Sequence, residues 1–343
     1  MSVNTVLGAV KAEALGVTLT HEHLSVKYEK FYRSPPPIHK NKFDGGIGLH
    51  NVAFVRQYPY SSRTNMDFTD PEASLDGVRL FAEAGGGTIV ENTTWGLGRD
   101  LQLMKSISKA TGVNIIAGTG HYLSEVQTPE TLKMPLEEMV KLMTTELTEG
   151  CIDDPEVKCG IIGEVASSWP IDDFERRCIV ATAMAQSDLK CPVTFHPGRN
   201  REAPFEIMRI YSEAGGDLKK AVMSHLDRTL PSTVDLIDFS DLGSYCQFDL
   251  FGTEVSFYQL SPETDMPSDG QRLDRIKVLL EAGKVEQILV SHDIHTRHRL
   301  VKYGGHGYGH LPVAVKQHML HKGISQDKIN QIMIRNPARW LTA

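Results

Sequence analysis

Two histidines separated by one residue, His21 and His23, follow the short apolar run Thr18-Leu19-Thr20. In an extended chain residues i and i+2 share a face, so both imidazoles can reach one ion while Glu22 turns away. Imidazole suits zinc and neighbouring transition metals. Other apolar runs also end in ligand-type side chains. Glu164 follows Gly160-Ile161-Ile162, His196 follows Pro192-Val193-Thr194-Phe195, His225 follows Val222-Met223-Ser224, and Asp293 follows Leu289-Val290-Ser291-His292. A lone strand-end histidine is more often a hydrogen-bonded structural residue than a ligand. Five runs that all deliver such residues to one mouth point to a metal site, and its natural chemistry is hydrolysis of an activated or amide-like bond.

The elements that must position these residues alternate along the chain. Strands are expected at Thr18–Ser25, Thr88–Thr94, Asn114–Tyr122, Cys159–Ala166, Pro192–His196, Ala221–Leu226, Tyr245–Phe251 and Ile288–His292. Helical spacing fills Pro71–Ala84, Asp100–Thr111, Pro135–Glu149, Asp172–Leu189, Ala203–Ala214 and Gln271–Ala282, and Gly85, Gly112, Gly150, Gly215 and Gly283 are placed to cap helices in the left-handed conformation. Eight strands alternating with helices predict an α/β fold, a single (β/α)8 barrel over residues 1–343, whose active site sits at the C-terminal strand ends. A doubly wound sheet is the rival, but no Gly-x-Gly-x-x-Gly turn follows the first strand. Arg33–Tyr60, with Pro35-Pro36-Pro37, reads as a long loop after the first strand. The last helices, Val313–Gly323 and Ser325–Arg335, are expected to close the barrel.

Composition narrows the function class. The chain has 343 residues, 41% hydrophobic and 23% charged, which is ordinary for a globular enzyme. A net charge of -7 argues against general nucleic-acid binding. Cys151, Cys159, Cys178, Cys191 and Cys246 form no Cys-x-x-Cys pair and read as buried, reduced thiols. No basic leader precedes an apolar core, and no run reaches the roughly 20 residues of a membrane helix. The sequence therefore predicts a cytoplasmic protein without nucleic-acid or membrane partners.

The blocks Thr20-His21-Glu22-His23-Leu24, Gly163-Glu164, His196-Pro197-Gly198-Arg199, Ser224-His225-Leu226-Asp227-Arg228 and His292-Asp293 resemble the phosphotriesterase branch of the amidohydrolase superfamily. Val90-Glu91-Asn92-Thr93-Thr94, Phe248-Asp249-Leu250-Phe251-Gly252-Thr253-Glu254 and Lys302-Tyr303-Gly304-Gly305-His306-Gly307-Tyr308 extend the resemblance over nearly the whole chain. It implies two divalent metal ions, usually zinc. By analogy His21, His23 and Asp293 hold one, His196 and His225 hold the other, and Glu164 bridges them. The founding phosphotriesterases bridge with a carboxylated lysine, and here Glu164 stands at that position. Lys158 falls too early in its strand to bridge, and reads as a salt-bridged surface residue. The resemblance also implies an amidase for N-acetyltaurine and similar N-acyl amino acids; Asp293 is then the expected proton shuttle as well as a ligand, since the leaving amine must be protonated, with a ligand-only role as the alternative. A homodimer is compatible with the superfamily, but no sequence stripe establishes one.

Several residues are candidates for the substrate. Arg228 and Arg199, three positions beyond His225 and His196, could clamp an anionic group. For Arg228 an ion pair with Asp227 is the equal alternative. Tyr122 and Tyr258 could bond substrate or merely pack. Trp95 and Trp169 could wall the pocket or pack in the core, and His295 and His298 could support the metal ligands but read more readily as solvent-facing loop residues. Two other activities fit the same metals: a lactonase or phosphotriesterase, or a binding protein that has lost catalysis. The latter should lack a ligand or shuttle, and all six positions are filled.

Overall fold

The computed structural model describes residues 1–342. Eight parallel strands lie side by side in chain order. They are β1 (Val17–Glu22), β2 (Gly86–Glu91), β3 (Asn114–Thr119), β4 (Ile161–Ala166), β5 (Val193–His196), β6 (Ala221–Met223), β7 (Tyr245–Phe248) and β8 (Ile288–Val290). The helices outside them are α1 (Pro71–Glu83), α2 (Leu101–Thr111), α3 (Leu136–Thr148), α4 (Asp173–Leu189), α5 (Ala203–Glu213), α6 (Thr233–Ser240) and α7 (Asp269–Glu281). This is the expected (β/α)8 barrel. Helix α6 has only 8 residues, too few to show a periodic face in the sequence.

Local chemistry sets the helix ends. Asp70, Asp100 and Ser268 each accept a bond from the third residue of their helix, and Asp172 and Glu175 cap each other's backbone. Such caps contribute about 1 kcal/mol each. Gly85, Gly112, Gly215 and Gly283 are left-handed, as expected. Gly150 is not; it is glycine because a Cβ there would lie 2.3 Å from the Pro155 carbonyl oxygen.

The barrel is nearly closed, and its seam between β1 and β8 is held largely by side chains. Thr20 Oγ1 donates to the Val290 carbonyl (3.2 Å), and Ser291 Oγ accepts from His21 N (3.0 Å). Glu22 points away from the axis, as its parity predicts. Its buried carboxylate accepts from Ser291 Oγ (2.7 Å), His292 N (2.9 Å), His292 Nδ1 (2.7 Å) and Ile294 N (3.1 Å). At the N-terminal end the closing helix is Asn336–Leu341, where Trp340 packs with Val3, Leu15, Val90, Ile116, Ile161, Val222 and Leu289.

Two expectations change. The segment after β1 is larger than Arg33–Tyr60 and partly helical. It leaves and returns at one place, where Val26–Lys27 pairs with Asp67–Phe68, and it includes the helix Val52–Gln57. The strands also end sooner than expected. β6 stops at Met223 and β8 at Val290, so His225 (φ 58°) and Asp293 (φ 53°) stand on left-handed turns. Turn geometry, not strand pleat, aims these two side chains.

Candidate metal centre

The turns and strand ends bring two groups of donors together at the C-terminal mouth. His21, His23 and Asp293 offer three ligand atoms within 4.8 Å of one another, and so do Glu164, His196 and His225. Glu164 touches both groups. One oxygen lies 3.5 Å from His21 Nε2, 2.9 Å from His196 Nδ1 and 3.7 Å from His225 Nε2, and the other lies 3.6 Å from His23 Nε2. Asp293 Oδ1 sits 3.2 Å from His23 Nε2. Gly163 makes this possible, because a Cβ there would fall 2.4 Å from the Thr194 carbonyl oxygen.

The protonation pattern fits divalent ions. His225 Nδ1 donates to Asp249 (2.7 Å) and His23 Nδ1 to Thr93 Oγ1 (2.9 Å). His21 Nδ1 faces the other Asp249 oxygen (3.2 Å). Each of these rings therefore turns its Nε2 inward, toward the other donors. His21 Nε2 is buried without a hydrogen-bond partner, and His196 Nδ1 and His225 Nε2 are only 2.8 Å apart. Acceptors this close need a shared cation or proton. Burial by itself would raise Glu164 and Asp293. His21 above all outweighs it for Glu164, as His295 and His23 do for Asp293, and both carboxyls are held well below their usual range while the same carboxylates shift His21, His23 and His225 upward, positive charge that divalent ions would otherwise supply. Burial and the neighbouring His225 push His196 down to about 3, so it stays neutral and able to ligate.

Asp249, which directly follows β7, supports both groups although its sequence context assigns it no ligand role. Its carboxylate accepts from the backbone N of His225 (3.0 Å) as well as from the His21 and His225 rings. It thus orients one donor of each group and steadies the strained turn at His225. Its position at the end of β7 was the available signal. Asp249→Ala is expected to weaken metal binding by roughly 10–100-fold, as loss of an outer partner does. Competition against a chromophoric chelator measures this, with circular dichroism to check the fold.

A cavity opens above the donors, lined by His196, Arg199, His225, Arg228, Tyr258, Asp293 and His295, and by Tyr28 and Tyr60 from the segment after β1. Arg228 is buried and has no carboxylate partner among the described residues. It donates to Thr229 Oγ1 (3.0 Å) and the Pro197 carbonyl (3.1 Å). Asp227 pairs instead with the fully buried Arg272 (2.8 Å), which overturns the Asp227–Arg228 alternative. Arg199 Nε donates to Tyr258 Oη (2.9 Å) and likewise meets no carboxylate among the described residues. Tyr122 is buried with its hydroxyl 3.4 Å from His196 Nδ1.

Other expectations are corrected. His295 and His298 do not face solvent. His295 bridges Asp293 (3.2 Å) and Tyr60 Oη (3.1 Å), and His298 is buried on Asn65 (3.1 Å). Neither Trp95 nor Trp169 walls the cavity: Trp95 lines a separate groove, and Trp169 is 39% exposed. Lys158 is exposed and makes no ion pair among the described residues. All five cysteines are buried free thiols, as expected. Tyr28 and Tyr60 were missed because nothing periodic in their segment aims them. No helix among the described residues is long and apolar enough to cross a membrane.

A (β/α)8 barrel whose mouth gathers two histidine–carboxylate groups around one glutamate defines a metal-dependent hydrolase. The sequence profile of the Phosphotriesterase family matches residues 1–341, and the chain belongs to that family. It is 50% identical to the phosphotriesterase-related protein of Aedes aegypti, over 99% of this chain and 98% of the relative. It is 46% identical to the N-acetyltaurine hydrolase of Xenopus tropicalis, over 99% and 97%. A crystal structure of a resiniferatoxin-binding protein from Rhodobacter sphaeroides superimposes with a TM-score of 0.95 at 27% identity, covering 99% of this chain and 94% of that one.

Proposed function

We propose that this protein is a binuclear amidohydrolase that cleaves N-acetyltaurine to taurine and acetate, and related anionic N-acyl amino acids to the free amine and the corresponding carboxylate. The observation that carries the reading is the pair Arg199 and Arg228. Two guanidinium groups without carboxylate partners line the same cavity as Asp293 and the histidine donors. Leaving a buried cation uncompensated is costly, and a substrate sulfonate or carboxylate supplies the missing charge. The relative named N-acetyltaurine hydrolase supports the same class.

His21, His23 and Asp293 would hold one ion and His196 and His225 the other, with Glu164 between. Two such ions, most simply zinc given the histidine-rich set, polarise the scissile carbonyl and activate water when bound. The chain's own residues do the rest. Asp293 Oδ1, backed by His295 (3.2 Å), accepts the proton of the attacking water and passes it to the leaving amine nitrogen. Arg228 and Arg199 hold the distal anion so that the amide lies over the donors. Tyr28 and Tyr60 cover the cavity and limit water.

The direct test is incubation of metal-loaded protein with N-acetyltaurine, with taurine and acetate quantified. Release of neither, alongside turnover of a lactone or an aryl phosphotriester, would sink the amidase reading. The arginine argument has its own test. Arg228→Met and Arg199→Met are each expected to lower kcat/KM for N-acetyltaurine by roughly 10–100-fold, the weight of a charge-assisted hydrogen bond. N-propylacetamide, which lacks the anion, should be hydrolysed equally by variant and parent. Equal losses on both substrates would count against an anion-binding role.

A further inference from the structure

Outside the metal centre, a groove runs along the outer wall of the barrel between α3 and the segments after β2 and β3. Trp95, Val126, Met134, Leu142 and Ile152 give it an apolar lining. His121 also lines it, and is 2% exposed, with neither ring nitrogen hydrogen-bonded. A neutral imidazole carries one donor and one acceptor. Burying both unsatisfied is destabilising, and an orphaned polar group of this kind calls for a partner from outside the chain.

The surrounding charges narrow what that partner is. Glu146, the carboxylate nearest in influence to His121, is already occupied by Arg99 (2.7 Å) and Trp95 Nε1 (3.3 Å) and by the Thr119 hydroxyl. Burial outweighs Glu146 and pushes His121 down to about 4, so the imidazole is neutral. The floor at His121 therefore offers hydrogen bonds without charge, and Glu138 and Lys141, one of each sign, also line the groove. Its size, about 1150 Å³ with the open mouth included, admits a ring with substituents.

We propose that this groove is a second small-molecule site, which binds an uncharged aromatic or acyl compound through one hydroxyl or amide group bonded to His121. The apolar body would lie against Trp95, Met134 and Leu142. A short run of chain links the groove to the metal centre. Trp95 N donates to the Gly120 carbonyl and Tyr122 N to the Trp95 carbonyl (both 3.1 Å), which brackets His121. Tyr122 then reaches His196 on the other side of the same stretch.

The probe is 4-bromophenol, soaked into crystals of the full chain and titrated by saturation-transfer NMR. The expected result is a bromine anomalous peak in the groove, with the phenol oxygen about 2.6–3.2 Å from a His121 nitrogen. His121→Phe, which keeps the ring volume, should weaken binding by roughly tenfold. Leu142→Trp, which fills the groove and leaves His121 intact, should abolish it. Water alone on His121, affinity unchanged in both variants, or a second copy of the chain covering the groove in solution would each overturn the proposal.

Discussion

Asp293→Asn is expected to fold and to lose turnover by roughly 10²–10⁴-fold, the range associated with a general acid–base group. Asparagine is the right substitution for two reasons. Asp293 sits at φ 53°, a left-handed conformation that Asn tolerates and Ala resists. The amide also keeps an oxygen at the ligating position while giving up the basicity that proton transfer needs. The backbone turn survives, because Asp293 N bonds to the His21 carbonyl (3.1 Å) and Arg299 holds the Asp293 carbonyl. Metal content must be measured in the same preparations. A variant that retains its metal and full turnover refutes the shuttle, whereas one that loses metal and activity together shows only a ligand.

Glu164→Ala should reduce metal stoichiometry from two ions per chain to one or fewer, with affinity falling beyond the roughly 10–100-fold caused by removing an outer partner. Glu164 faces His21, His23, His196 and His225 at 2.9–3.7 Å, so its loss strips the carboxylate that stands between the two groups. Equilibrium dialysis with elemental analysis gives the count independently of activity. Two ions retained at parental affinity would mean that Glu164 does not bridge.

The donors were legible because strand ends carry them at recognisable places. His21 and His23 needed only the two-residue repeat of an extended chain, and Glu22 facing outward followed from the same parity. The outer partners were less legible. Asp249 directly follows β7, 24 residues from His225 and 228 from His21 along the chain, and only barrel closure brings the three together. Arg228 showed two equal readings in the sequence. The fold separated them by placing Arg272 of α7 against Asp227.

The sequence by itself determined the barrel and the ligand-type side chains at its strand ends, Glu164 among them, since each rests on local patterning or on a motif read in place. Tertiary structure decided what surrounds them. It put His225 and Asp293 on left-handed turns, set Tyr28 and Tyr60 in the cavity wall, and left Arg199 and Arg228 without carboxylate partners among the described residues. Those outcomes depend on contacts between residues far apart in the chain, and no local periodicity encodes them.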